Sequence, residues 1–121
     1  MELYLGVGSN FSEDQLRFAA QIGVDGIYGA PQPGKADRGF FDYHTLLNTR
    51  TRVEGFGLKY YSLRMLPWEW CYKWMLGLPG RDEQIENAQK SIRNMGAAGI
   101  PILTYNIHTM RFYRTSNDTP G

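Results

Sequence analysis

Short apolar segments alternate with longer segments of helical spacing, and this alternation limits the fold more than any other feature of the sequence. Four segments predict β-strands, at residues 3–8, 24–30, 58–65 and 100–106. Three segments predict helices, at residues 11–23, 42–57 and 81–99. Strands that alternate with helices form parallel βαβ units with right-handed crossovers. We therefore predict an α/β fold built on a parallel sheet.

Two arrangements of parallel βα units agree with this order. The first is the amino-terminal half of a TIM (β/α)8 barrel, in which residues 1–121 form one partial domain of about three βα units and a fourth strand. A complete barrel has about 250 residues. The second arrangement is a small doubly wound α/β domain. The turn GVGSNF after the first strand lacks the third glycine of a dinucleotide-binding loop, which argues against a Rossmann cofactor site.

Local signals mark the ends and the faces of the helices. Ser12 and Gln15 have the spacing of a capping box at the start of the first helix, and Phe11 and Leu16 flank it as a hydrophobic staple. In the third helix, four apolar residues recur at helical spacing and support the prediction of a helix there: Ile85, Ala88, Ile92 and Met95. Residues 66–80 contain all the tryptophans and two prolines, and they predict a short helical turn or an ordered loop.

Composition and charge narrow the range of partners. The net charge is +1 and the basic residues are scattered, unlike the clustered basic face of a nucleic-acid-binding protein. No segment approaches the ~20 apolar residues of a membrane-spanning helix, and the first residues lack the pattern of a signal peptide. Cys71 is the single cysteine, so no internal disulfide can form and a reducing compartment is expected. We predict a cytoplasmic protein that binds neither nucleic acid nor membrane.

The carboxyl ends of the predicted strands mark the place for a functional site, because sites of parallel α/β folds form there. The residues at these positions are Ser9, Asn10, Tyr28, Gly29, Arg64, Met65, Asn106, His108, Arg111 and Arg114. Asn106 donates and accepts hydrogen bonds, as a hydroxylated substrate requires, or it only ends a strand. His108 is a candidate for proton transfer or metal binding, although a lone histidine more often does neither. Arg111 and Arg114 suit a carboxylate, or lie in a solvated loop or an ion pair.

Other aromatic and reactive residues give weaker signals. Trp68, Trp70 and Trp74 can stack on a sugar, but their spacing does not place all three on one helical face, which favours packing under a loop or at a subunit contact. Cys71 has no activating partner in the sequence and is predicted to be a buried structural thiol. No pair of acids and no cluster of histidine, cysteine and aspartate appears, so we predict no metal ligand and no complete active site in these 121 residues.

The segment LGLPGRDEQIENAQKSIRNMGAAGI, with the later TYN and RT, resembles the mannonate dehydratase family of xylose-isomerase-like barrels. The resemblance is most specific over residues 76–106 and looser over 11–25 and 46–58, and it does not include residues 68–74. It implies a truncated form of a metal-dependent lyase of hexuronate catabolism, which removes water from the sugar acid D-mannonate to give 2-keto-3-deoxy-D-gluconate. It also implies Asn106 and Arg114 as substrate-binding residues, while His108 is a catalytic candidate by position alone.

The resemblance further implies Mn²⁺ or another divalent metal, whose ligands lie on later strands that these 121 residues do not contain. The chain alone is then expected to be inactive, and to be a homo-oligomer or to need a carboxy-terminal half. Two alternatives stay open. One is a sugar isomerase or epimerase of the same superfamily, and the other is a non-catalytic half-barrel that pairs with itself or with another polypeptide.

Overall fold

A computed structural model describes residues 1–8, 11–31, 38–64 and 66–107 of the chain. In these ranges four strands form one sheet: β1 (Tyr4–Gly6), β2 (Gly26–Gly29), β3 (Lys59–Arg64) and β4 (Ile102–Thr104). The helices are α1 (Glu13–Gln21), α2 (Tyr43–Glu54), the short α3 (Tyr72–Met75) and α4 (Arg81–Ala97), and a 3-10 turn covers Trp68–Trp70. All the predicted strands and helices are present, and the strands are shorter than predicted because pairing is confined to their central residues.

The order of the strands separates the two predicted arrangements. All neighbouring strands are parallel, and the order across the sheet is β1-β2-β3-β4. Right-handed crossovers between consecutive neighbours bring every connecting helix to the same face of the sheet. A doubly wound sheet instead reverses its strand order and carries helices on both faces. The doubly wound alternative is therefore wrong, and the prediction of consecutive βα units of the barrel type is confirmed.

The hydrophobic core lies between the sheet and the helices. Fully buried side chains from both layers meet there, namely Leu16, Ile27, Leu46, Val53, Leu63 and Ile100. Phe11 packs edge-on against Tyr60, with 5.3 Å between the ring centroids. The Tyr60 hydroxyl donates a hydrogen bond of 2.9 Å to the Gly29 carbonyl, and its burial raises the pKa of Tyr60 well above the usual range. These contacts join β2, β3 and the segment that leads into α1.

The predicted capping box at the start of α1 is confirmed. The Gln15 amide donates to Ser12 Oγ at 3.3 Å, and the Ser12 amide donates to Gln15 Oε1 at 3.2 Å. The staple residues Phe11 and Leu16 are 2% and 0% exposed. Because each bond satisfies an amide near the helix start that would otherwise have no partner, the chain enters α1 in a defined direction.

Asp42 caps α2 in a way that makes this helix sensitive to pH. Its carboxylate accepts hydrogen bonds from the Thr45 hydroxyl at 2.7 Å and from the Thr45 amide at 2.9 Å, and these bonds hold the pKa of Asp42 below its usual value. Asp42→Ala is expected to lower the free energy of unfolding at neutral pH by about 1 kcal/mol. Since the folded pKa is depressed, the contribution of the carboxylate is present above the unfolded pKa of about 3.9 and is lost as the pH falls through the folded value.

Urea denaturation at about pH 7 and about pH 3 measures this effect. Asp42→Asn is the control, because its side-chain oxygen still accepts a hydrogen bond from the helix start but carries no charge. The loss caused by Asp42→Ala should shrink at the lower pH, and Asp42→Asn should lose less than Asp42→Ala at neutral pH. A loss for Asp42→Ala that is the same at both pH values would contradict the role of the charged carboxylate.

Residues 68–75, called the tryptophan segment below, form the 3-10 turn and α3. Gln84 of α4 fastens the segment, because its Oε1 accepts from the Lys73 amide at 2.9 Å and its Nε2 donates to the Glu69 carbonyl at 2.9 Å. Trp70 is 5% exposed and packs edge-on against Phe41, with 4.9 Å between the ring centroids. The predicted short helical turn is confirmed, and for Trp70 so is the prediction of packing under a loop.

The apolar face of α4 is buried only in part. Met95 is 6% exposed and Ala88 packs against the core, whereas Ile85 and Ile92 are 40% and 46% exposed. Helical spacing predicts the helix, which is present, but it does not show what covers its apolar face. Ile85 and Ile92 are exposed because the described sheet ends at β4 and no described element lies beyond it to cover them.

Candidate functional site

A polar cavity lies at the carboxyl ends of β2, β3 and β4. Its volume is about 190 Å³, and it is lined by Tyr28, Arg64, Thr104, Tyr105 and Asn106. Tyr28 lies near the end of β2, and Arg64 and Thr104 are the last residues of β3 and β4. Parallel strands end at one edge of a sheet, so these side chains converge at the edge where the sites of barrel folds form.

A β-bulge in β3 determines which side chains reach this cavity. The register between β2 and β3 shifts after Ile27, so that Tyr61 of β3 is an extra residue. In a strand without a bulge, alternation from the buried Tyr60 would place Arg64 on the face covered by helices and Leu63 on the opposite face. The extra residue reverses this alternation. Leu63 is therefore 0% exposed in the core, while Arg64 is exposed at the cavity.

The guanidinium group of Arg64 carries the only formal charge in the described lining of the cavity. Arg64 faces Thr104 directly across β3 and β4, and the Thr104 hydroxyl donates a hydrogen bond of 3.4 Å to the Leu63 carbonyl. No hydrogen bond or ion pair joins Arg64 to another residue of the described ranges. The donors of Arg64 are thus available to an anion from solution.

The lining combines this cation with neutral hydrogen-bonding groups. A guanidinium has five donors in a planar arrangement that matches a carboxylate. The Tyr28 hydroxyl and the Asn106 amide can each donate and accept. The volume of about 190 Å³ is roughly six times the ~30 Å³ of one water molecule, yet below the ~300 Å³ of a typical small-molecule pocket. The cavity therefore suits one part of a small hydroxylated anion.

Of the three site residues predicted from the sequence, Asn106 lies in this cavity. His108 and Arg114 lie outside the described residues, as do Ser9, Asn10, Met65 and Arg111, so their roles stay predictions. The strand-end rule includes Tyr28 and Arg64 among its positions, but the sequence assigns them no chemistry. The sequence does not show on which face of the sheet each side chain lies. For Arg64 the bulge in β3 determines the face.

A larger cavity, called the apolar groove below, lies on the core-facing side of β4. Its volume is about 450 Å³, and its lining includes Leu66, Trp74, Met75, Ile85, Ile92 and Leu103. Trp74 Nε1 is buried and has no hydrogen-bond partner among the described residues. Although the groove is the larger of the two cavities, no charged side chain of the described residues lines it. The groove therefore offers apolar contact area and no charged group from the described residues.

Cys71 borders the apolar groove as a buried thiol. Burial, and to a lesser degree the nearby Glu69 carboxylate, raise the pKa of Cys71. A raised pKa leaves little thiolate at neutral pH, and the thiolate is the nucleophile and the metal ligand. The predicted burial of this thiol is confirmed.

In residues 1–8, 11–31, 38–64 and 66–107, no group of three or more histidine, cysteine, aspartate or glutamate residues is arranged to hold a metal ion. No helix of the same ranges combines the length and the apolar character that crossing a membrane requires.

The consecutive parallel strands, the helices on one face and the polar cavity at the strand ends define part of a (β/α)-barrel protein. The family model of D-mannonate dehydratase (UxuA) matches residues 4–120, and the chain belongs to this family.

Similar proteins cover this chain and extend well beyond it. Mannonate dehydratase of Streptococcus pneumoniae (strain 70585) is 44% identical over 83 residues, which are 69% of this chain and 21% of that protein. Mannonate dehydratase of Thermotoga maritima is 33% identical over 84 residues, 69% of this chain and 22% of that protein. A crystal structure of mannonate dehydratase from Streptococcus suis serotype 2 matches with a TM-score of 0.70 at 28% identity, over 88% of this chain and 30% of that one. The chain spans about a fifth of the length of these curated relatives.

Proposed function

We propose that the whole protein to which this chain belongs is a mannonate dehydratase, a lyase that removes water from D-mannonate and forms 2-keto-3-deoxy-D-gluconate. The family match over residues 4–120 carries the proposal. The polar cavity supports it, because a guanidinium beside neutral hydrogen-bonding groups suits a hydroxylated acid. We place the reaction in the cytoplasmic breakdown of hexuronates.

The reaction takes a proton from the carbon beside the carboxylate and removes a hydroxyl from the next carbon. Asn106 binds substrate hydroxyls in this proposal, because its amide donates and accepts hydrogen bonds at the polar cavity. Arg114 binds substrate oxygens, and His108 transfers a proton. Side chains that hold the substrate in one orientation lower the activation barrier, because the substrate then loses its translational and rotational entropy on binding and not in the reaction step.

The family resemblance adds a divalent metal, Mn²⁺, to the proposal. Such an ion binds substrate oxygens and stabilises developing negative charge. The described residues do not fit it, because no cluster of three or more metal-ligating side chains occurs among them. We propose that its ligands belong to other parts of the whole protein.

We propose that residues 1–121 form three βα units and the fourth strand of a (β/α)8 barrel, and that the rest of the whole protein covers the apolar groove. In the described sheet β4 pairs only with β3. A right-handed crossover from β4 brings the next helix beside α4. Ile85 and Ile92 of α4, which are 40% and 46% exposed, would pack against that helix.

We expect the purified 121-residue chain to self-associate or to be only partly folded, because the apolar groove and the edges of the sheet are uncovered. Where the chain self-associates, Ile92→Glu should weaken the association, since a carboxylate in the groove would be desolvated against a second apolar surface. Thr51→Glu is the control, because it adds the same charge at an exposed position of α2 away from the groove. Sedimentation velocity over a range of concentrations measures the association, and urea denaturation measures the cooperativity of unfolding. A wild-type chain that stays a monomer and unfolds cooperatively would contradict the expectation.

Formation of a keto acid from D-mannonate tests the proposed function. The whole protein, expressed from its complete reading frame and supplied with Mn²⁺, should convert D-mannonate to a 2-keto acid. Isomerised substrate without keto acid would replace the lyase by the isomerase or epimerase alternative. A protein that changes D-mannonate in neither way would favour the non-catalytic half-barrel.

A further inference from the structure

We propose that Arg64 binds the carboxylate of the sugar-acid substrate and thereby selects an acid over a neutral sugar. The inference rests on the function proposed above and adds to it a residue from the end of β3. Arg64 lies in the described part of the chain, in the same polar cavity as Asn106.

The bulge in β3 is the first observation behind this role. A bulge leaves one residue without a regular partner and bends its strand, so it disturbs the sheet that contains it. Here its effect is to turn two adjacent side chains, Leu63 into the core and Arg64 towards the cavity. The strand thus buries its leucine and still presents a cation at its carboxyl end.

The charge of Arg64 is the second observation. Arg50 shows the contrasting case, because it pairs with Glu54 at 2.7 Å and also donates to the Ala98 carbonyl at 3.0 Å. Arg64 has no such contact within the described ranges, and no acidic side chain of those ranges lines its cavity. An unpaired guanidinium at a concave polar site is suited to a carboxylate, which it binds through two parallel hydrogen bonds.

The neighbours of Arg64 supply the third observation. Thr104 lies directly opposite it in the sheet. The Tyr28 hydroxyl lies close over Gly6, where an added Cβ would be 2.7 Å from it. The absence of a side chain at Gly6 therefore lets the Tyr28 ring lie along the open face of the sheet. A carboxylate on Arg64 would then have hydroxyl and amide groups beside it for the adjacent substrate hydroxyls.

Binding of D-mannonate and of D-mannitol to the whole protein, expressed from its complete reading frame and kept free of added metal, tests the proposal. The two probes have the same carbon skeleton, but D-mannitol has no carboxylate. Titration followed by NMR should show that the wild-type protein prefers D-mannonate. Arg64→Gln should weaken D-mannonate binding by about 10- to 100-fold, the range expected for a hydrogen-bonded charged contact, and leave D-mannitol binding unchanged. Arg64→Lys keeps the charge without the paired donors, so it should retain part of the preference.

Arg93→Gln is the matched control, because it removes the same charge from an exposed position of α4 outside the cavity. Circular dichroism of each variant verifies the fold. A folded whole protein that shows no saturable D-mannonate binding, or an Arg64→Gln variant that binds both probes as the wild type does, overturns the proposal. If instead the whole protein makes no keto acid while the acid preference depends on Arg64, the proposed function fails and this inference stands.

Discussion

Gly26→Ala will destabilise the protein by about 1–3 kcal/mol, the usual cost of adding atoms to a well-packed interior. A Cβ at Gly26 would lie 2.4 Å from the Lys59 carbonyl oxygen and 2.8 Å from the Tyr4 ring. The first contact is with backbone, so it can be relieved only by moving β3 away from β2, where the register already contains a bulge. Thermal unfolding should shift downward by roughly 4–12 °C.

Gly96→Ala is the matched control, because the same methyl group there has the opposite effect. Gly96 lies within α4, and a Cβ at this position meets nothing within 4 Å. Alanine is favoured over glycine inside a helix by roughly 0.5–1 kcal/mol, so this variant should unfold at a higher temperature. A Gly26→Ala protein that melts with the wild type would show that β2 and β3 are not packed as closely as described.

The parts of the fold that depend on neighbouring residues in sequence are predictable from the sequence. The capping box needs only Ser12 and Gln15, and both of its hydrogen bonds are present. The alternation of strands and helices is likewise a local pattern, and it gives the element order that the structure has. The arrangement of the strands follows from this order only when the handedness of crossovers is added, and the sequential sheet agrees with the barrel prediction.

The parts that depend on other elements are not predictable in this way. Tyr60 and Leu63 are both buried although they are three residues apart in one strand, which breaks the period of two. The cause is the register shift against β2, and one strand alone does not reveal it. In the same way, the spacing of Ile85 and Ile92 shows a shared helix face but not that the face is uncovered.

The candidate site, too, has one part that the sequence predicts and one part that it does not. The strand-end rule includes Asn106, which lines the polar cavity, and the substrate-binding role that the family resemblance gives it stays a prediction. Arg64 and Tyr28 satisfy the same rule, but their convergence with Asn106 needs the bulge and the parallel register of three strands. Chemistry that depends on which face a side chain takes is therefore the part of the site that sequence analysis missed.

In the dehydratase proposed above, Arg114→Ala should reduce the turnover of D-mannonate by roughly 30-fold or more. Loss of a buried charged contact commonly costs about 2–5 kcal/mol, and each 1.4 kcal/mol or so corresponds to a factor of ten in rate. Measurement of kcat/KM with D-mannonate tests this result, and thermal unfolding tests whether the fold is intact. Wild-type kinetics in this variant would remove Arg114 from the site and leave Asn106 as the residue that the family motif supports.

The two arginine variants are distinguishable because their proposed roles differ. Arg64→Gln should abolish the preference for an acid over a neutral sugar in binding, which the whole protein without added metal can reveal before any turnover. Arg114→Ala should reduce turnover in the whole protein while the preference through Arg64 persists. The 121-residue chain by itself should form no keto acid with or without Mn²⁺, since the family resemblance places the metal ligands on strands that follow these residues. Metal-dependent keto-acid formation by this chain would show that residues 1–121 contain a complete catalytic site, and would refute the division of the site proposed here.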